Sequence, residues 1–220
     1  MNSFNLLRTD GSFIENEYLS NSSNYLGVIF SGLGYALSNP LLYYSRNILF
    51  EKMIDYFGSN FGYSKNEHYK NLNSENKKEY FMDDNKIIVD KIAELSKNYQ
   101  KIVLIGKSLG TGTIRQCIKM DSIKNKSTLI LLTPPGDEWE CTINEIKDTN
   151  IQTLVIGSLK DKLYNVKNLS EIYSIGHIKT YELEDGDHSL ETNNISKDIE
   201  QLNIIMEKIN VFIQENILTH

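Results

Sequence analysis

The chain of 220 residues is 40% apolar and 24% charged. That balance excludes wholesale disorder and suits one domain whose core needs no disulfide or metal staple. With 23 basic against 29 acidic residues the net charge is −6, the wrong sign for a generic nucleic-acid or anionic-membrane binder.

Phe4 to Arg8 and Phe13 to Leu19 flank Asp10-Gly11 and predict an N-terminal β-hairpin closed by a two-residue turn. Leu26 to Phe30 is a continuous apolar run, read as a strand buried on both faces, and it ends at Ser31-Gly32-Leu33-Gly34-Tyr35. Pro40 to Lys52 predicts a helix and Met53 to Phe57 a strand. Residues 58–80 are polar and read as a loop with one solvated helical turn, or else as a small flap over a site. A helix over Asp84 to Tyr99 precedes a buried strand, Lys101 to Gly106, and a second helix follows over Leu109 to Asp121. Ser127 to Thr133 is a strand stopped by Pro134-Pro135-Gly136, and Ile151 to Gly157 is another. Val166 to Ile175 predicts a helix, and Lys179 to Leu183 alternates like a strand nearer a sheet edge. The chain closes with a helix over Ser196 to Glu215, capped by Ser196, with Ile195, Ile199, Leu202, Met206, Ile209 and Ile213 as its apolar stripe. Short buried strands alternating with helices imply an α/β protein with a mainly parallel, twisted sheet and helices on both faces. No linker divides residues 1–220, so a single domain is expected.

Ligands in such sheets bind beyond the carboxyl ends of the strands. One strand is followed by Gly106-Lys107-Ser108-Leu109-Gly110 and then a helix. G-x-S-x-G between a strand and a helix is the nucleophile-elbow pattern, in which a tight turn lifts the serine clear of the sheet. The alternative for Ser108 is an ordinary helix N-cap. A serine nucleophile needs a histidine base and an acid to orient it. Of four histidines only His188 follows a strand; His220 is terminal, His68 lies in the polar stretch and His177 precedes a strand. The acid candidates are Asp161, which follows a buried strand and falls between Ser108 and His188, and Asp137, Asp185 and Asp187.

Strand-GKSLG-helix, Leu159-Lys160-Asp161 after a strand, and Asp187-His188-Ser189-Leu190-Glu191 before the last helix resemble the α/β-hydrolase superfamily from residue 25 onward. Within it, the chain is similar to small cap-less bacterial members, dienelactone-hydrolase-like and esterase-like. The resemblance implies Ser108 as nucleophile, Asp161 as acid and His188 as base. It also implies an oxyanion hole built from the backbone N–H of Leu109 and one from the loop after the first buried strand. That loop usually reads His-Gly-x; here it reads Ser31-Gly32-Leu33, which makes Leu33 the expected second donor and Gly34 the alternative. Dienelactone hydrolases use a cysteine nucleophile, so their specific activity is not implied.

The expected function is a serine hydrolase of an ester, thioester or related small acyl substrate, with no cofactor, no metal, no nucleic-acid partner and no membrane. A peptidase or acyltransferase would use the same triad, and a non-catalytic binding protein would keep only the scaffold. Gly106-Lys107-Ser108 also ends phosphate-binding loops, but the required earlier glycine falls at Lys101. Gly110-Thr111-Gly112 lacks the third glycine of a dinucleotide loop. Cys117 and Cys141 read as reduced thiols, Cys117 in the core, in a cytoplasmic protein. The start of the chain lacks a secretory pattern, and no run approaches a membrane span. Tyr35, Tyr43, Tyr44 and Trp139 are pocket candidates, Tyr35 foremost. Residues 134–150 leave no room for a cap, so an open site is expected, with Phe61, Tyr63, Tyr69 and Phe81 as its only apolar wall.

Overall fold

Strands β1 (Asn2–Leu7), β2 (Phe13–Leu19), β3 (Tyr25–Phe30), β4 (Asp55–Asn60), β5 (Lys101–Lys107), β6 (Ser127–Leu132), β7 (Thr153–Ser158) and β8 (Ile178–Leu183) form one sheet, ordered β1-β2-β4-β3-β5-β6-β7-β8. Pairing is parallel from β4 through β8, and β2 and β1 add an antiparallel margin. The structure is a computed structural model and describes residues 2–164 and 172–218.

Side-chain alternation along the central strands feeds two cores. In β5, Ile102 and Leu104 join one core while Val103 and Ile105 join the other. The first core is covered by α3 (Ser74–Ser96), α4 (Leu109–Cys117) and α6 (Gly136–Ile146), through Ile88, Ile92, Ile114, Cys117 and Trp139. The second is covered by α1 (Pro40–Glu51) and α7 (Ile195–Ile213), through Leu42, Leu49, Ile205, Ile209 and Phe212. The doubly covered parallel sheet is therefore as expected, and Cys117 lies in the core while Cys141 is exposed.

Several local expectations are corrected. The β1–β2 hairpin has a three-residue loop, Thr9-Asp10-Gly11: Arg8 N–H donates to the Ser12 carbonyl at 2.8 Å, and Gly11 takes a φ of 83°. That is the longer hairpin solution, with its αL residue a glycine. The strand expected at Met53 starts at Asp55, because Met53 (φ 54°) makes the turn out of α1. The polar stretch 58–80 is not a loop. It holds the end of β4, a 3₁₀ turn (Tyr63–Lys65), α2 (Glu67–Asn71) and the first two turns of α3. Asn73 caps α3 by accepting from Asn76 N–H at 2.8 Å, so this helix begins ten residues before the expected Asp84. The helix after β5 ends at Cys117, with α5 (Asp121–Lys124) as a separate turn. Asn194, not Ser196, caps α7, and of the expected stripe Ile195 and Ile199 are exposed while Ile209 and Ile213 are buried. Most of the helix expected over Val166 to Ile175, and His220, lie outside the described residues. Among the described residues no helix is long and apolar enough to cross a membrane.

Candidate active site

β5 runs straight into the turn that carries Ser108. Ser108 sits at φ 51° and ψ −115°, a conformation an L-residue adopts at a cost of about 1–3 kcal/mol. Its N–H donates to the Leu132 carbonyl of β6 at 2.9 Å, which anchors the turn to the sheet. The flanking glycines are required by close approach. A Cβ on Gly106 would lie 2.6 Å from the Gly110 carbonyl oxygen, and one on Gly110 would lie 2.6 Å from that of Phe30. So α4 packs against β5 and β3 only because both positions lack side chains. Ser108 is no simple cap: its side chain accepts nothing from the helix.

Ser108 Oγ lies 2.7 Å from His188 Nε2, and His188 Nδ1 lies 2.7 Å from Asp161 Oδ2. A carboxylate only accepts, so Nδ1 carries the proton and Nε2 is left to accept from the serine hydroxyl. Asp161 is buried, and its other oxygen accepts the Leu163 N–H at 2.9 Å. His188 is held by a compact turn: Asp187 Oδ1 accepts the Ser189 and Glu191 N–H groups, and Asp187 N–H donates to the Glu191 carbonyl. Ser158 Oγ at the end of β7 donates to the Gly186 carbonyl at 2.7 Å, joining the two loops.

The other acid candidates are engaged elsewhere or apart. Asp187 shapes the histidine turn, and Asp185 pairs with Lys160 and Lys197, which hold its carboxyl down to about 2. Asp137 lies in the first turn of α6 and makes no bond to His188.

The loop after β3 is anchored at Gly32, whose N–H donates to the Tyr35 carbonyl at 2.9 Å. Among the described residues the Leu33 N–H has no hydrogen-bond partner, and Leu33 itself is exposed. Leu109 opens α4, where the first N–H groups lack helical acceptors and the dipole is positive. A cleft of about 870 Å³ borders this loop, lined by Gly32 to Ala36 and by polar groups that include Ser12, Glu15, Asn39, Asn60 and Ser64. Ser108 and His188 lie outside its lining. Tyr35 lines it as expected; Tyr43 and Tyr44 do not, and Trp139 is fully buried in the core. Tyr63 is buried too, stacked on Phe61 and Tyr69, so these rings pack the fold and only Phe61 reaches the cleft.

Sequence reasoning missed Lys107. It is 1% exposed, with its ammonium 2.5 Å from Thr133 Oγ1, 2.8 Å from the His188 carbonyl and 5.1 Å from the centre of the Tyr35 ring. Burial pushes its pKa down to about 8, against the pull of Asp161 and Asp187. A lysine next to the elbow serine at the end of a buried strand was the available signal. Among the described residues no group of side chains could hold a metal ion.

The α/β-hydrolase domain family matches residues 27–214. No match is found among curated proteins. Solved structures share the fold at low identity. The α/β serine hydrolase without lid from Xanthomonas campestris has a TM-score of 0.65 at 12% identity, covering 97% of this chain and 94% of its own. Est1E from Butyrivibrio proteoclasticus has 0.67 at 13%, covering 100% of both chains. An esterase from Pyrococcus furiosus has 0.64 at 11%, covering 97% and 90%. With the family model matching residues 27–214, most of its length, the chain belongs to the α/β-hydrolase domain family.

Proposed function

We propose that the chain is a serine hydrolase of ester, thioester or related acyl bonds, with Ser108 as nucleophile, His188 as base and Asp161 as the acid that orients it. The observation carrying this reading is the pair of 2.7 Å contacts that link the three residues, with Ser108 in a strained turn at the head of α4.

Ser108 Oγ attacks the acyl carbonyl carbon as its proton passes to His188 Nε2. Asp161 accepts from Nδ1–H and stabilises the imidazolium that forms. The imidazolium then protonates the leaving oxygen or sulfur, which departs and leaves the acyl group on Ser108. Water attacks this acyl-enzyme, its proton goes to His188, and the acid product leaves as Ser108 regains its proton. The negative charge on the carbonyl oxygen is met by the N–H groups of Leu109 and Leu33. Each such donor is worth about 10²–10³ in rate. Gly32 is unsuited because its N–H is committed to Tyr35, and Gly34 is the alternative.

The cleft beside the oxyanion loop supports short or polar acyl substrates. Polar groups make up about half of its lining, with Phe13, Leu33, Tyr35 and Phe61 as a short apolar wall, and α6 occupies the connection between β6 and β7 where a cap would insert. Each buried methylene contributes about 0.8 kcal/mol, so kcat/KM rises only while an apolar wall lasts, to about four to six carbons. Two measurements test the proposal. A fluorophosphonate should label one serine, Ser108, as read by peptide mass spectrometry; no labelling by probes of several sizes would sink the hydrolase reading. Then kcat/KM for p-nitrophenyl esters from acetate to palmitate should peak early. A maximum at long chains, or activation at a lipid–water interface, would sink the substrate reading alone.

A further inference from the structure

The reading of Ser108, His188 and Asp161 leaves one buried cation beside them without an assigned task. We propose that Lys107 is a positioning residue, a three-pronged clamp that sets the catalytic histidine and the oxyanion loop against the nucleophile elbow.

The argument begins with where the prongs go. An ammonium has three N–H donors and no acceptor. Lys107 directs them to partners on three different strand ends: Thr133 Oγ1 beyond β6, the His188 carbonyl beyond β8, and the face of Tyr35 beyond β3. Its own backbone leads directly into Ser108. The side chain therefore touches every loop that brings a group to the reaction, except the Asp161 loop, which His188 joins for it. Thr133 is itself held at φ 44° and aims its Oγ1 at the same His188 carbonyl, at 3.2 Å. A Cβ on Gly32 would lie 3.2 Å from the Lys107 carbonyl oxygen, so the oxyanion loop also packs on this residue's main chain.

A structural role alone would call for a different residue. Among the described residues no carboxylate touches the buried ammonium, and the titratable groups on the elements around it are Asp161, Asp187, His188 and Tyr35. A buried charge without a contacting counter-ion is an expensive way to hold a fold. Replacing it with a methionine of similar length leaves neither partner stranded, because Thr133 Oγ1 still donates to His188. What methionine cannot supply is a fixed position for the His188 backbone and an attraction for the Tyr35 ring. Displacement of reacting groups by about 1 Å costs on the order of 10²-fold in rate.

The clamp is also titratable. A neutral amine keeps only two N–H donors, loses the pull on the aromatic face, and weakens the charge-assisted bond to the carbonyl. Activity should therefore fall on the alkaline side as the ammonium, already depressed to about 8, loses its proton.

The experiment compares wild type with Lys107→Met, and with Lys107→Gln should methionine fail to fold. It uses steady-state ester hydrolysis and the rate of fluorophosphonate labelling from pH 5 to 10. The expected result is a kcat about 10–100-fold lower in Lys107→Met with KM within about threefold. The acid limb should be retained, the alkaline limb near pH 8 lost, and the thermal midpoint unchanged or raised. A Lys107→Met enzyme with wild-type kcat, or with the same alkaline limb, overturns the clamp. So does a wild-type profile flat to pH 10. A variant whose kcat and thermal midpoint fall together with the limb in place makes Lys107 merely structural. Absence of labelling in wild type fails the triad reading instead, which keeps the two failures distinct.

Discussion

Two buried cations stand on opposite sides of this molecule's economy. Arg8, at the end of β1, donates from Nε to both oxygens of Asp84 at 2.9 and 3.1 Å, and from its terminal nitrogens to the Phe13 and Phe61 carbonyls. Tyr63 adds its hydroxyl to Asp84 at 2.7 Å, and its ring and that of Tyr80 flank the guanidinium. The guanidinium's partners lie on the hairpin, the exit of β4 and α3, away from Ser108 and His188, although Arg8, Phe13 and Phe61 also border the cleft beside the oxyanion loop. Among the described residues Lys107 has neither carboxylate nor second charge in contact, and of the three segments its ammonium touches, those of His188 and Tyr35 carry the proposed base and the proposed oxyanion donor. A fully paired buried charge fixes architecture; a buried charge left unpaired at the mouth of the sheet is explained only by what it holds in place there.

The scale for that comparison is set by Ser108→Ala. Loss of kcat should be on the order of 10⁴–10⁶ with the thermal midpoint unmoved, since alanine removes only the attacking oxygen. Near-normal hydrolysis in this variant would end the nucleophile assignment. Asp161→Asn comes next, at about 10⁴ in kcat, because an amide can leave the imidazole in the wrong tautomer and cannot stabilise the imidazolium. Asp137→Asn, the same chemical change one strand away and out of contact with His188, should stay within a few-fold of wild type. Equal damage from the two would mean that Asp161 acts only as bulk charge.

Arg8→Met inverts the pattern predicted for Lys107→Met. It strands a carboxylate that is 2% exposed, and breaking one partner of such a pair costs about 3–5 kcal/mol. Urea midpoints measure it, while kcat per folded molecule should be retained and any change should fall on KM, because Arg8 borders the cleft but touches none of Ser108, His188 and Asp161. A variant that loses activity with no loss of stability would show that this cluster serves the neighbouring cleft rather than the scaffold.

The same contrast explains what could be read in the sequence. β3, β5, β6 and β7 were legible because strands buried on both faces are unbroken apolar runs, and the convergence of Ser108, Asp161 and His188 was legible because each follows one of the sheet's strands. β4 was misplaced because it is built from Asp-Tyr-Phe-Gly-Ser-Asn. Asp55 at its start is buried, and the Asn21 and Ser23 N–H groups and the Ser20 and Tyr99 hydroxyls satisfy it. The start of α3 was missed because its first turns are mostly polar and exposed, with Tyr80 and Phe81 as the first apolar anchors. Both cases depend on polar groups satisfied by residues far along the chain, which apolar periodicity does not report. Lys107 is illegible for the same reason, since its partners lie 26 and 81 positions away.

The smallest effect is a change of stability with pH that only one of the two cations should produce. Lys107 has a folded pKa of about 8 against an ordinary 10.5. Below pH 8 it is protonated in both states, and the folded protein bears the full cost of the buried charge. Between 8 and 10.5 the folded state has released the proton while the unfolded chain still holds it. The unfolded state then binds more protons, so stability rises with pH across that interval and levels off above it. The gain is about 1–3 kcal/mol, the depressed interval converted at about 1.4 kcal/mol per pH unit and discounted for relaxation around the amine. Lys107→Met has no proton to release, so its advantage over wild type should shrink from pH 8 to 10.5. The Arg8→Met deficit should stay flat across the same range, because a guanidinium keeps its charge there. Urea midpoints for the three proteins at pH 7, 9 and 10.5 measure both slopes. A wild-type minus Lys107→Met difference that does not change with pH would mean that Lys107 stays charged in the folded protein, and that the alkaline loss of activity must come from another group.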